Sequence, residues 1–387
     1  MGKVKRALGL MSGTSMDGID VALLTTDGED VVERGPSLTV PYGQDMRSRL
    51  RQAIDEARAL EQRYERPGCL AAVEREITQA HAAAVSELCK VHGIDRASLD
   101  VIGFHGQTVL HRAPHAEVQT TLAGVPFDEG VLGITVQLGD GPLLAKLTGI
   151  DVVYDMRAAD VAEGGQGAPL VPVYHQALLA RLPQRPLAVV NIGGVANVTW
   201  IGAGGRLIAF DTGPGNALID DWMAKHAGTP CDSGGHTAAR GKIDEDCLRD
   251  MMLSGFFQEA PPKSLDRNAF RSVPVASLSI EDGAATLTAF TAGAVARARE
   301  HMPEEPALWI VAGGGRKNAT LMGMIAAKVE NAVVPAEAVG LSGDALEAEA
   351  WGYLAVRSLH GMPLTFPGTT GVSKPMTGGI WAMANQN

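Results

Sequence analysis

Apolar residues run through Ala7-Leu8-Gly9-Leu10-Met11, then give way to the polar loop Ser12-Gly13-Thr14-Ser15-Met16-Asp17-Gly18. They return over residues 19–25, before a turn at Asp27-Gly28 and a third run near Val31. The same layout recurs later: residues 187–192, then Gly193-Gly194-Val195-Ala196-Asn197, then 198–201. A glycine turn at Gly202-Ala203-Gly204-Gly205 and a run over 207–211 complete the second copy. Each copy reads as strand, glycine-bearing loop, strand, tight turn, strand, the order of antiparallel hairpins. A duplicated unit predicts two similar lobes, each offering one small-residue loop to a shared cleft.

Between and after the copies the period becomes helical. Residues 44–59 and 70–92 carry apolar positions at mixed three and four spacing, and Gly93 suits a helix C′ position. Residues 99–104 read as a short buried strand that delivers His105-Gly106-Gln107-Thr108 at its end. The weakly periodic stretch 116–133 reads as an irregular excursion, 143–149 as a turn or two of helix, and 150–154 as a strand. Pro169, Pro172, Pro183 and Pro186 bracket a helix over 173–182 that leads into the second lobe. There the pattern predicts helices over 216–227, 284–300, 318–329 and 344–359, a polar loop over 229–240 and a strand over 308–312. This alternation indicates an α/β fold with mixed sheets.

Composition narrows the partners. The 387 residues suit two domains, and 45% hydrophobic with 20% charged residues supports a large core. A formal net charge of −11 disfavours nucleic acid or an anionic membrane as the main partner. An anionic ligand remains compatible, because backbone amides and a divalent metal hold phosphates without a basic surface. The four cysteines, Cys69, Cys89, Cys231 and Cys247, form no C-x-x-C pair, which reads as reduced thiols in a cytosolic protein. The apolar run behind Lys3, Lys5 and Arg6 is too short for a signal peptide, and no stretch approaches the ~20 residues that span a membrane. The expected location is the cytoplasm.

Three glycine loops carry the candidate chemistry. The loop from Ser12 is longer than a hairpin requires and suits a phosphate chain, although no Gly-Lys-Ser/Thr follows it as in a Walker A loop. Gly313-Gly314-Gly315, between a strand and a helix, would let a flat base or ribose approach the backbone; a tight turn is the plainer alternative. Asp211, in Phe210-Asp211-Thr212-Gly213-Pro214-Gly215-Asn216, stands at a strand end among glycines. It is placed either to act as a general base or to cap the following helix. His105 and Gln107 suit either structural hydrogen bonding or a polar substrate. The loop Gly164-Gly165-Gln166-Gly167-Ala168-Pro169 suits a hinge or a substrate loop equally. Asp344 and Glu347 have capping-box spacing, which by itself accounts for Glu347. No G-x-S-x-G elbow is visible, which argues against a serine nucleophile.

Taken in order, these motifs closely resemble those of the anhydro-N-acetylmuramic acid kinases. The resemblance rests on residues 10–20, His105-Gly106-Gln107-Thr108, residues 165–172, Asn191-Ile192-Gly193-Gly194, residues 210–216 and Gly313-Gly314-Gly315. It implies the fold shared by sugar kinases, heat-shock ATPases and actin: two lobes, each on a ribonuclease-H-like mixed sheet, closing on ATP. Residues 1–145 with 363–387 would form the lobe of the first phosphate loop. Residues 146–362 would form the lobe of the second phosphate loop and the adenosine site. The implied reaction uses ATP to phosphorylate the C6 oxygen of 1,6-anhydro-N-acetylmuramic acid while water opens the anhydro bridge at C1. Carried over by position, Gly13, Thr14, Ser15, Met16, Asp17, Gly18, Ile19 and Asp20 would bind ATP phosphates, with Gly193, Gly194, Gly313, Gly314 and Gly315 completing the nucleotide site. Asp211 would be the general base, and His105, Gln107, Gln166 and Glu347 would face the sugar. Mg2+ would accompany ATP, with its protein ligands unassigned. The partners implied are the sugar and ATP, with no nucleic acid or membrane and a homodimer as an open alternative to the monomer. Two alternatives stand beside this reading: a family kinase acting on another anhydro sugar, and a nucleotide-driven conformational switch.

Overall fold

The computed structural model describes residues 2–13, 15–114, 133–265, 270 and 272–384. Thr14 and nearly all of the expected 116–133 excursion lie outside the described residues. The chain divides into two units, Met1–Ala180 with Glu347–Asn387, and Arg181–Leu346. Residues 146–180 and most of the last long helix therefore belong to the first unit, where the sequence reading groups them with the second.

The first unit holds β1 (Lys5–Ser12), β2 (Gly18–Thr26), β3 (Val32–Pro41), β4 (Val101–Arg112), β5 (Ile134–Leu138) and β6 (Val152–Tyr154). The second holds β7 (Leu187–Ile192), β8 (Val195–Ile201), β9 (Leu207–Pro214), β10 (Leu308–Ala312) and β11 (Ala332–Pro335); β12 (Ile380–Ala382) returns to the first sheet. The sheet orders are β12-β6-β4-β1-β2-β3, with β5 beside β4, and β11-β10-β7-β8-β9. In each, three antiparallel strands adjoin two parallel ones, β4 and β6 in one sheet and β10 and β11 in the other. The duplication expected from the hydrophobic pattern is thus present strand for strand.

The helices are α1 (Gln44–Ala57), α2 (Leu70–His92), α3 (Gly141–Thr148), α4 (Ala158–Ala162), α5 (Pro172–Leu178), α6 (Ala217–His226), α7 (Glu245–Met252), α8 (Ile280–Arg297), α9 (Ala319–Ala326), α10 (Leu346–Leu359) and α11 (Pro367–Thr370). The apolar positions of α2 follow helical spacing: Leu70, Val73, Ile77, Val85 and Leu88 are all buried. Gly93 ends that helix in the left-handed region, donating its N–H to the Cys89 carbonyl. Those side chains pack on Leu8, Leu10, Ile102 and Phe104 to form the first core. In the second unit Val190, Ile192, Val198, Phe210, Trp309 and Val311 build one core with Leu321, Ile325 and Val295.

One expectation about local structure changes. The strand expected over 99–104 continues to Arg112, so His105-Gly106-Gln107-Thr108 lies inside β4 instead of at its end. α10 begins at Leu346, and the Asp344 carboxylate ahead of it accepts from Arg316 at 2.8 and 3.0 Å and from Lys317 at 2.9 Å. The bidentate guanidinium holds Asp344 down at a pKa of about 2, where burial alone would raise it. Among the described residues no helix is long and apolar enough to cross a membrane.

Candidate active site

In the first unit the loop after β1 is locked by side chains. Ser12 Oγ donates to Gln107 Oε1 at 2.7 Å and lies 2.9 Å from the Tyr42 hydroxyl. Gln107 Nε2 donates to the Gly13 carbonyl at 3.2 Å, so a fully buried amide bridges the strand and the loop. Leaving such an amide unpaired is costly, which makes this network specific. Burial then raises the Tyr42 pKa above its ordinary value. The loop closes with Met16 N–H on the Gly13 carbonyl at 3.1 Å, and Met16 adopts φ 56°, unusual for a non-glycine residue. Ser15 and Asp17 are exposed and Asp20 is half-buried, whereas the Ile19 side chain belongs to the core.

His105 is buried next to this network. Its Nδ1 donates to the Gly106 carbonyl at 2.7 Å, and its Nε2 lies 3.2 Å from Arg157 Nη2. A guanidinium only donates, so Nε2 accepts and the ring is the neutral Nδ1–H tautomer. Burial first, and the Arg157 charge second, push the His105 pKa well below its ordinary value. Arg157 also donates to the Gly167 carbonyl at 2.7 Å and lies over the Trp351 ring at 5.1 Å. Asp160 accepts from Gly167 N–H at 2.7 Å and from Thr370 Oγ1 at 2.6 Å. Gly167 has φ 69°, and a Cβ there would come within 2.5 Å of Val161, so only glycine closes this loop. These contacts fix Gln166, whose own N–H donates to the Thr370 carbonyl at 2.6 Å. His105 and the Gln166 loop are therefore joined through Arg157. Glu347 stands half-buried in the first turn of α10.

In the second unit three glycine segments meet. Asn216 N–H donates to the Gly193 carbonyl at 2.7 Å, and Gly215 N–H to the Gly194 carbonyl at 2.9 Å. Asn216 Nδ2 donates to the Ile192 carbonyl at 3.1 Å, and Thr291 Oγ1 of α8 donates to the Gly215 carbonyl at 2.8 Å. Gly313 has φ 73°; a Cβ on it would lie 2.4 Å from Asn191 Oδ1 and 2.6 Å from the Ile192 carbonyl. Arg316 secures this third segment, donating to the Gly313 carbonyl at 2.8 Å and to Glu337 at 2.8 Å.

Asp211 sits on β9 where the pairing with β8 slips: Ala196 faces Gly213 and Asn197 faces Asp211, leaving Thr212 as the extra residue. Bulges of this kind re-aim a side chain. The Asp211 carboxylate accepts Leu265 N–H at 2.7 Å, and its own N–H donates to the Lys263 carbonyl at 3.0 Å. The N-cap of α6 is Asn216, and Ala217 N–H bonds the Gly194 carbonyl. Lys263 is buried, with Nζ donating to the Phe256 and Glu259 carbonyls at 2.8 and 3.0 Å. Burial lowers its pKa to about 8.

Sequence reasoning missed Arg157, Asp160, Lys263 and Arg316. Arg157 and Asp160 had a signal, a charged pair three apart just ahead of the Gln166 loop. Lys263 had none, since it lies in a proline-bearing stretch without periodicity.

Two copies of a ribonuclease-H-like sheet, each with a small-residue turn between its first two strands, make the architecture of the sugar kinase, heat-shock ATPase and actin class. The family model described as anhydro-N-acetylmuramic acid kinase matches residues 5–383, and the chain belongs to that family. A protein of that name from Agrobacterium fabrum is 50% identical over 390 residues, covering 99% of this chain and 100% of that protein. One from Methylobacterium nodulans is 50% identical over 389 residues, covering 97% and 99%. Among solved structures, a ROK family glucokinase from Streptomyces griseus in complex with glucose and AMPPNP aligns with TM-score 0.41 at 12% identity, over 90% of this chain and 99% of that one.

Proposed function

We propose that the chain is an ATP-dependent sugar kinase that opens the anhydro bridge of 1,6-anhydro-N-acetylmuramic acid with water and phosphorylates C6. The product is N-acetylmuramic acid 6-phosphate, within peptidoglycan recycling and amino-sugar catabolism in the cytoplasm. The observation that carries this reading is Asp211. Its carboxylate stands at a bulge beside the joined glycine segments and accepts the Leu265 N–H. One carboxylate so placed takes the proton of the attacking water as the water oxygen bonds to C1. The C1–O6 bond breaks, and O6 attacks the terminal phosphorus as the bond to ADP breaks.

In this scheme the residues from Gly13 to Asp20 present backbone amides to the phosphates, with Ile19 contributing main chain only. Gly193 and Gly194 serve the same end, and Gly313, Gly314 and Gly315 form the shelf for adenosine. Gln166 and Glu347 contact the sugar. His105 and Gln107 act from beneath: neutral His105 holds Arg157 and with it the Gln166 loop, and Gln107 holds Gly13. Mg2+ would enter with ATP and neutralise phosphate charge. Among the described residues no group of three or more His, Cys, Asp or Glu side chains is placed to hold a metal ion, so the phosphate oxygens of ATP would supply the main ligands.

The test is a panel of anhydro and ordinary amino sugars with ATP, following ADP release and product mass. Turnover confined to 1,6-anhydro-N-acetylmuramic acid, with product mass raised by one water and one phosphoryl group, is expected. Preference for an anhydro sugar lacking the lactyl or N-acetyl group would reassign the substrate. ADP release indifferent to every sugar would favour a nucleotide-driven switch.

A further inference from the structure

Asn191, Asn197 and Asp211 face one another in a row across β7, β8 and β9, because Asn191 pairs with Asn197 and Asn197 with Asp211. Directly opposed residues of antiparallel strands project to the same side, with Cβ atoms about 5 Å apart. That side is the one away from the core, since the alternating residues Val190, Ile192, Ala196, Val198 and Phe210 fill the core cluster. Asn197 Oδ1 is buried and has no hydrogen-bond partner among the described residues. A buried acceptor left open is uncommon and costs stability, so its persistence beside the base points to a ligand that completes it.

Resting on the reading of Asp211 as general base, we infer that the Asn197 side-chain carbonyl is the second acceptor for the nucleophilic water. A water molecule has two protons, and the row offers two acceptors on one face. Asp211 accepts the proton that is lost as the bond to C1 forms; Asn197 accepts a hydrogen bond from the proton that stays. With both hydrogens engaged, an oxygen lone pair is left to point at C1. Two other polar groups nearby are engaged elsewhere. Asn191 lies against the Gly313 turn, and Lys263 directs its Nζ to the Phe256 and Glu259 carbonyls.

The test compares Asn197→Asp, Asn197→Ala and Asp211→Asn in the full-length chain with saturating ATP, reading kcat and KM for the anhydro sugar across pH. Asn197→Ala should lower kcat about 10–100-fold, the cost of a mispositioned reactant, with KM for ATP within twofold. Asn197→Asp keeps size and places a second carboxylate beside the base, so the acidic limb of kcat/KM should move up by about one pH unit or more. Asn197→Ala is decisive, because a purely structural Asn197 changes melting temperature while the folded enzyme keeps its kcat; the Asn197→Asp limb checks that residue 197 faces the base. Undiminished kcat in folded Asn197→Ala enzyme, an unmoved limb in active Asn197→Asp enzyme, or loss of fold in both overturns the inference while Asp211→Asn remains inactive. Near-normal turnover by Asp211→Asn instead overturns the underlying assignment of the base.

Discussion

The two glycine turns that open the duplicated sheets are fixed by different means. After β1 the turn is five residues long and is held by side chains: Ser12, Tyr42 and Gln107, with Met16 in the left-handed region. After β7 the turn is Gly193-Gly194 alone, and it is held largely by main-chain bonds from Gly215, Asn216 and Ala217. The strands that follow diverge as well. β3 alternates between exposed and half-buried positions, whereas β9 is buried almost throughout and ends in the bulge that carries Asp211. Duplication has therefore preserved the sheet while the work has separated. The first copy keeps a loop held by side chains; the second keeps a main-chain-bonded frame around a carboxylate.

The largest effect should come from the main-chain-bonded frame. Asp211→Asn retains an oxygen for Leu265 N–H but has no proton to accept, so kcat should fall about 10²–10⁴-fold. Melting temperature and ATP affinity, measured by calorimetry, should change little. A comparable loss of ATP affinity would show that Asp211 belongs to the nucleotide site and would break the division of labour.

Acid should loosen the first unit before the second. His81 and His175 are buried with pKa values lowered by desolvation from 6.5 to about 4, and His105 shifts the same way. A histidine depressed on folding contributes full stability above its unfolded value. For His81 and His175 that contribution is lost as pH falls from about 6.5 towards 4, by on the order of 3 kcal/mol each; His105 adds in the same direction. All three residues lie in the first unit; in the second, among the described residues, His301 shifts likewise but is half-buried. Asp344, in the second unit, has a depressed carboxyl whose contribution is lost only as pH falls from 3.8 towards about 2. Hydrogen exchange between pH 7 and pH 5 should thus show protection falling first in residues 2–180. Earlier loss in 181–346 would contradict this.

Gln107→Ala should cost about 1–3 kcal/mol, because it strands buried partners at Ser12 and Gly13. KM for ATP should rise as the first loop loosens. Asn216→Ala removes one side-chain bond from a turn that keeps its main-chain ones, and should cost about 0.5–1.5 kcal/mol. Denaturant titration of the two variants checks the contrast, and equal losses would break it. The smallest effect belongs to Arg47→Ala. Its half-buried guanidinium reaches the exposed Asp17 carboxylate at 3.9 Å and the Asp17 carbonyl at 3.3 Å, so the change should be within about 1 kcal/mol and diminish with salt.

Much of this architecture was legible in the sequence because both hairpin units are apolar runs separated by glycine, although β8 begins three residues earlier and β9 ends three residues later than their apolar runs. The glycine signals at Gly93 and Gly313 were legible for the same reason, since a left-handed backbone leaves few alternatives. Shorter pieces escaped: β5, α4, α7, β11 and β12 have too few residues to establish a period. The length of β4 escaped because polar His105 and Gln107 end the apolar run, although both side chains are buried by partners distant in sequence. The ion pairs of Asp344 escaped because Arg316 and Lys317 arrive from another loop and spacing cannot reveal them. Asp211 could be picked out by its position among glycines, but not the Leu265 N–H that holds it.

The central claim is that water, activated by Asp211, opens the anhydro bridge as O6 is phosphorylated. The direct measurement is one turnover of 1,6-anhydro-N-acetylmuramic acid with ATP in water labelled with heavy oxygen, with the product analysed at once by mass spectrometry. The account predicts one labelled oxygen, at C1, and an unlabelled O6 bearing the phosphoryl group. A phosphorylated product without label at C1 would contradict it.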